Sequence, residues 1–243
     1  SANRSAIGGF GGTLKNHCPV DLGTLVAKEA IARSGYEANE VEHAVFGNVI
    51  HTEPRDMYVS RVIALQAGMD KASAALTVNR LCGSGLQAIV SASQILMLGD
   101  ASVAMAGGVE VMSNGAHIVQ GFRWGSRMGD GQVHDMMLGA LHDPFGHGHM
   151  GITAENISDR YGISRNSQDE FALTSQKRAS KAINDDLFKE QILPIEIKTR
   201  KGVNIFEIDE HPKPETTIET LSNLRTAFKK EGVVTAGNAS GIN

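Results

Sequence analysis

The sequence is short of cysteine, of net charge, of aromatic residues and of long apolar runs, and most of these shortages remove a class of protein. Two cysteines, Cys18 and Cys82, in 243 residues do not make a disulfide framework. The reading is a reduced, cytoplasmic protein. A formal net charge of −4 gives no reason to expect nucleic acid or an anionic membrane as a partner. The longest nearly apolar stretch runs from Leu86 to Leu98 and contains Gln87, Ser91, Ser93 and Gln94. It is shorter than the ~20 residues of a bilayer span. The N-terminus, "SANRSAIGGF", lacks a charged-then-apolar signal pattern. Aromatics make up only 5%, whereas glycine is abundant at 27 residues, which predicts tight turns and close backbone approaches. With 41% hydrophobic and 21% charged residues, the chain has the composition of a globular protein of one large domain or two smaller ones.

The first part alternates between two periodicities. "DLGTLVAKEAIARSG" reads as an amphipathic helix capped by Asp21, with Leu22, Leu25, Val26 and Ala30 on one face and Gly35 at its end. "HAVFGNVI" reads as a strand, "DMYVSRVIALQAG" as a helix with Asp56 as cap, and "AALTVNRL" as a strand. "LQAIVSASQILMLG" then reads as a helix and "ASVAMAGG" as a strand. This order predicts an α/β protein with a mostly parallel sheet. The third helix is apolar or small all the way round, so it is expected to be buried on every side, by a second layered half or another subunit as well as by the sheet.

Beyond about Ser113 the composition shifts. "NGAHIVQGFRWGSRMGDGQVHDMMLGALHDPFGHGHMG" is rich in Gly, Met and His and weakly periodic, and reads as a long functional loop. Two charged helices are expected next. The second starts at Ser164 or Ser167 and places Phe171, Ala172, Ser175, Ala179 and Ile183 on one face. "QILPIEIKT" alternates like an exposed strand, and "GVVTAGNASG" resembles a return to the sheet.

Cys82, in "NRLCGSGL", lies between a strand and a helix. That geometry exposes a nucleophile at a helix N-terminus, where unpaired N–H groups favour a thiolate and can stabilise an oxyanion. An inert buried thiol remains the alternative. "GSGLQA" also fits a dinucleotide fingerprint, but the acidic residue it needs is misplaced: Asp100 lies before the next strand and Glu110 comes late. His142, Asp143, His147 and His149 cluster, but the intervening "PFG" breaks any regular helix and no cysteine joins them. They read as polar lining or a subunit contact, with no metal site. Cys18, beside Pro19 in an expected loop with no helix directly after it, reads as structural or incidental. Trp124 in "GFRWGSRMGD" reads as an interface or loop anchor.

"NRLCGSGLQA", "AGGVEVMS", "RMGD", "HMGITAEN" and "VTAGNASGIN", in that order, resemble the thiolases, the acetyl-CoA C-acyltransferases, and the likeness runs from end to end. "GNVIHTEPRDMY" and "LGALHDPF" look most like the bacterial short-chain β-ketothiolases that serve polyester-precursor synthesis. The resemblance implies a layered α-β-α-β-α fold made of two similar halves. It divides this chain into an N-terminal half at residues 1–114 with a truncated first strand, an inserted coenzyme A-binding and tetramerisation region at 115–232, and a return strand at 233–243. It implies that Cys82 is the acyl-accepting nucleophile, with its N–H in an oxyanion hole. Leu141, His149 and Met150 match pocket residues near the pantetheine and acyl end, and Phe228, Ala236 and Ser240 match residues along the coenzyme A channel. Lys213 stands where relatives often carry an arginine near the phosphates, which keeps the charge but loses the bidentate fork. No cofactor is permanently bound; acetyl-CoA and short acyl-CoA are substrates, and a homotetramer is expected. A ketosynthase-like enzyme and a non-turnover acyl-CoA-binding fragment are the alternatives. The second half, with its Asn-Glu-Ala-Phe and Gly-His-Pro stretches and a second catalytic cysteine, is absent from the sequence.

Overall fold

The structure, a computed structural model, describes residues 1–243. In the first part the elements are β1 (Arg4–Ser5), α1 (Pro19–Ser34), β2 (His43–Gly47), α2 (Val59–Gln66), β3 (Ala74–Val78), α3 (Ser84–Leu98) and β4 (Ala104–Gly108). β3, β2 and β4 form a parallel sheet in that order, so the βαβαβ alternation is met. Strand periodicity sorts the core. Ala44 and Phe46 face α1 and α2, packing with Val20, Ala27, Val59, Ile63 and Met105. Val45 faces the other way, onto Ala88 and Ala92 of α3.

Several local expectations are corrected. Asp21 lies in the first turn of α1, not at its cap; the capping position belongs to Cys18, with Pro19 pre-set for the first helical position. Leu25 is exposed, because the buried face of α1 runs through Leu22, Gly23, Thr24 and Ala27. Asp56 caps no α-helix. It is buried in the 3₁₀ turn Pro54–Tyr58 and accepts hydrogen bonds from the Thr52 and Glu53 N–H groups and the Thr52 hydroxyl.

α3 buries only Ser84, Ala88 and Ala92; Leu86, Ile89, Val90, Met97 and Leu98 are exposed. Burial on every side is therefore not met within these residues, since the sheet covers one side only. Over Leu81–Leu98 the mean hydropathy is 1.5, enough by length and composition for a membrane span. That is a longer stretch than Leu86–Leu98. The helix itself has 15 residues, about 22 Å, and one flank packs on β2 and β4.

The remainder is built of small elements: β5 (His117–Val119), β6 (Val133–Asp135), α4 (Met136–Ala140), β7 (His142–Asp143), β8 (Gly148–His149), α5 (Met150–Tyr161), α6 (Arg165–Asn184), β9 (Ile192–Leu193), β10 (Ile195–Thr199), β11 (Gly202–Phe206) and α7 (Ile218–Ser222). The long loop is thus two hairpins, β5–β6 and β7–β8, with α4 between them. Ser164 caps α6 by accepting from the Ser167 N–H. Phe171 points to solvent, because Arg165, Asp169, Leu173 and Gln176 take the inner face.

This region is tied back to the start of the chain. β1 pairs with β9, and Arg4 holds Asp209 through two hydrogen bonds of 2.8 and 3.0 Å. Glu210 accepts from the Gly9 N–H and the Thr13 N–H and hydroxyl.

Candidate active site

The C-terminal ends of β2 and β4 and the start of α3 meet through glycines. A Cβ on Gly47 would lie 2.7 Å from Ser84, and one on Gly108 would lie 3.4 Å from the Gly85 Cα. The start of α3 can therefore sit directly on the strand ends. Cys82 precedes it on a tight turn and is exposed.

The turn is densely bonded. The Leu81 N–H donates to Asn79 Oδ1 at 3.0 Å, the Arg80 N–H to Ser84 Oγ at 2.8 Å, the Gly83 N–H to the Arg80 carbonyl at 3.1 Å and the Ser84 N–H to the Leu81 carbonyl at 3.0 Å. From Arg80 to Ser84 only the Cys82 N–H finds no acceptor in the chain. An exposed thiol beside its own free N–H, ahead of a helix start, can add to a carbonyl carbon while that N–H receives the developing oxyanion.

Cys18 differs from the expectation, since a helix follows it directly. Burial pushes its thiol pKa up, and the charges of Glu53 and Asp21 add to the shift against a weaker opposing contribution from Arg55.

A second group of expected residues converges on the start of α5. His149 caps that helix, its Nδ1 accepting from the Gly151 N–H at 3.0 Å. Its ring stacks on Phe228 at 4.8 Å and meets His142 edge-on at 5.1 Å. Burial lowers the His149 pKa, and His142 lowers it further. Gly151 is required here because a Cβ would run into the Phe228 ring. The Met150 N–H donates to the Leu141 carbonyl at 2.8 Å, so Leu141, His149, Met150 and Phe228 form one cluster. No group of three or more His, Cys, Asp or Glu side chains is arranged to hold a metal ion.

Ala236 and Ser240 lie exposed on the segment after Phe228. Residues 233–243 form no regular strand among the residues present: Thr235 makes one isolated antiparallel bridge to Thr226, and side chains accept the Val233, Val234, Thr235 and Gly237 amides. Glu155 of α5, itself fully buried, accepts from the Val233 and Val234 N–H groups at 2.9–3.1 Å. Asn238 accepts from the Thr235 N–H and donates to Asp169 of α6 at 2.9 Å. Lys213 is exposed, without an ion pair, and its N–H donates to Gln176, two turns along α6 from Asp169. No hydrogen bond joins Cys82 to any of these residues.

Sequence reasoning missed the polar residues that hold these pieces: the buried Glu155, Asp169 and Ser84 and the half-buried Asn238 and Glu110. Glu110 binds the Val49 and Ile50 N–H groups and the Asn48 amide. Nothing in "TAENISDRYG" distinguishes Glu155 from a solvent-facing carboxylate.

The thiolase N-terminal domain family matches residues 1–243. The beta-ketothiolase BktB of Cupriavidus necator is 56% identical over 244 residues, covering 100% of this chain and 62% of that protein. The crystal structure of the Bacillus anthracis acetyl-CoA acetyltransferase superposes with a TM-score of 0.95 at 44% identity, over 100% of this chain and 61% of that one. Human mitochondrial 3-ketoacyl-CoA thiolase in complex with CoA gives a TM-score of 0.93 at 37% identity, over 99% and 60% of the two chains. The chain thus spans about three fifths of these relatives' length. On this match, and on the layered α/β fold that carries Cys82 between strand and helix, the chain belongs to the thiolase family.

Proposed function

We propose that the protein carrying this chain is an acyl-CoA:acetyl-CoA C-acyltransferase, in which Cys82 forms the acyl-enzyme. The observation that carries this is the exposed thiol beside the one unpaired N–H of its turn. Sγ adds to the thioester carbonyl carbon, and the oxyanion is held by the Cys82 N–H. Collapse breaks the bond to the coenzyme A sulfur, which takes the thiol proton. In the second step the α-carbon of acetyl-CoA, having given up a proton, attacks the acyl carbonyl. A C–C bond forms, the Cys82 S–C bond breaks and a proton returns to Sγ; thiolysis is the reverse. No histidine or carboxylate of residues 1–243 is hydrogen-bonded to Sγ, and the resemblance assigns the base histidine and a second cysteine to a further half.

In this reading coenzyme A is a substrate and no cofactor stays bound. Leu141, His149 and Met150 line its pantetheine and acyl end, Phe228, Ala236 and Ser240 its channel, and Lys213 meets its phosphates. Residues 1–114 and 233–243 belong to one half, and 115–232 are the inserted coenzyme A-binding region. Assembly as a homotetramer uses the β5–β6 hairpin, whose Phe122, Trp124 and Met128 are exposed. The resemblance to short-chain β-ketothiolases supports short acyl chains, and the reading places the enzyme in the cytoplasm.

The test is incubation with acetyl-CoA, followed by peptide mass mapping and measurement of released thiol. Stoichiometric acetylation of the Cys82 peptide, abolished in Cys82→Ala, is expected. Release of coenzyme A without a modified Cys82 refutes the reading.

A further inference from the structure

Resting on the reading of Cys82 as nucleophile, we infer that Ser84 and Asn79 are positioning residues that hold Leu81 in a left-handed conformation and so aim the thiol. Leu81 has φ +47, one of two non-glycine residues in the chain with positive φ. A branched side chain is disfavoured there because its Cβ crowds the backbone. Such a conformation persists only where its surroundings enforce it.

Two side chains do so. Ser84, buried against Gly47, donates its hydroxyl hydrogen to the Leu81 carbonyl at 2.6 Å and accepts from the Arg80 N–H at 2.8 Å. Asn79 Oδ1 accepts from the Leu81 N–H at 3.0 Å. Leu81 is thus fixed on both its amide and its carbonyl by side chains that flank Cys82 in sequence. With Leu81 locked, the turn satisfies its neighbours' amides internally and leaves the Cys82 N–H over. The strain sets the direction in which the Cys82 backbone leaves the strand.

The experiment uses the protein expressed from its full gene. Alkylation of Cys82 and of Cys18 by iodoacetamide is followed by peptide mapping, with melting temperature measured alongside. Ser84→Ala is expected to slow Cys82 by about tenfold and to leave the Cys18 rate alone. Adding Leu81→Gly, which occupies positive φ without a Cβ penalty, is expected to restore the Cys82 rate. It is not expected to restore the melting temperature, since the Arg80 N–H stays unpaired. Asn79→Ala, on the exposed side of the turn, is expected to slow Cys82 in the same direction, and carries the test if Ser84→Ala does not fold.

A Cys82 rate that survives these substitutions, a parallel loss at Cys18, or failure of Leu81→Gly to rescue overturns the inference alone. A parent protein whose Cys82 reacts no faster than Cys18 refutes the nucleophile reading, and this inference with it.

Discussion

Glu155 offers the sharpest test of how the candidate site is held. Its carboxylate is 1% exposed and takes the Val233 and Val234 N–H groups. A Cβ on Gly232 would collide with it, so the chain runs directly over the carboxylate. Glu155→Gln keeps the shape. One oxygen still accepts, but the new amide group faces the Val233 N–H and the charge assistance is lost, at a cost of about 1–2 kcal/mol. Glu155→Ala leaves both amides without an acceptor, at about 1–3 kcal/mol each, and opens a cavity as well. A total of roughly 3–5 kcal/mol is a large part of a domain's usual 5–15. Urea unfolding gives the totals, and amide hydrogen exchange at Val233 and Val234 gives the local effect. Exchange is expected to accelerate at these two amides in both variants, and more in Glu155→Ala. Unchanged exchange with unchanged urea midpoints would refute the clamp.

Brief iodoacetamide treatment of the parent is expected to label Cys82 before Cys18, whose thiolate is disfavoured by burial and by Glu53 and Asp21; peptide mapping decides. Lys213→Ala is expected to weaken coenzyme A binding about fivefold at low salt and much less at high salt; titrations identical to the parent at both would remove Lys213 from the site. The lowered His149 pKa means its neutral form is the one the fold favours, so its contribution to stability is present above the unfolded value of about 6.5 and is lost as pH falls through and below it. A His149→Asn variant, which keeps a cap, is expected to flatten urea midpoints across that window. Residues 1–243 expressed alone are expected to show no useful acetoacetyl-CoA thiolysis, because positioned acid–base groups contribute about 10²–10⁴-fold each. Specific activity equal to the full gene product would overturn the assignment of those groups to a further half.

The parallel sheet and its helices were legible because their signal is periodicity, which a single face of α1 or α2 displays without knowledge of neighbours. What could not be read were choices settled by partners distant in sequence. Val233 and Val234 have strand-forming side chains, yet Glu155 supplies acceptors that a sheet neighbour would otherwise provide. Phe171 fits an apolar stripe on α6, yet Asp169 takes the inward position because Asn238 and Arg165 satisfy it there. The candidate site residues were reached through the family resemblance, and the structure brings Leu141, His149, Met150 and Phe228 together without any periodic signal linking residue 149 to residue 228.

The two cysteines stand at similar places in the fold but in different surroundings. Both stand just ahead of a helix start. At Cys18 the next residue is Pro19, which brings no N–H to the first turn, and Asp21 and Glu53 place negative charge where a thiolate would form. Arg55 pairs with both carboxylates and offsets only part of their effect. At Cys82 the following residues are Gly83, Ser84, Gly85 and Leu86, with no acidic side chain in the first turn of α3 and no acceptor for the Cys82 N–H. The α3 start and the Cys82 N–H are thus both free of a competing carboxylate or acceptor, as the proposed acyl transfer requires. The discriminating feature is therefore what does not surround the thiol, and it is readable only once Glu53 is seen to fold back onto Cys18.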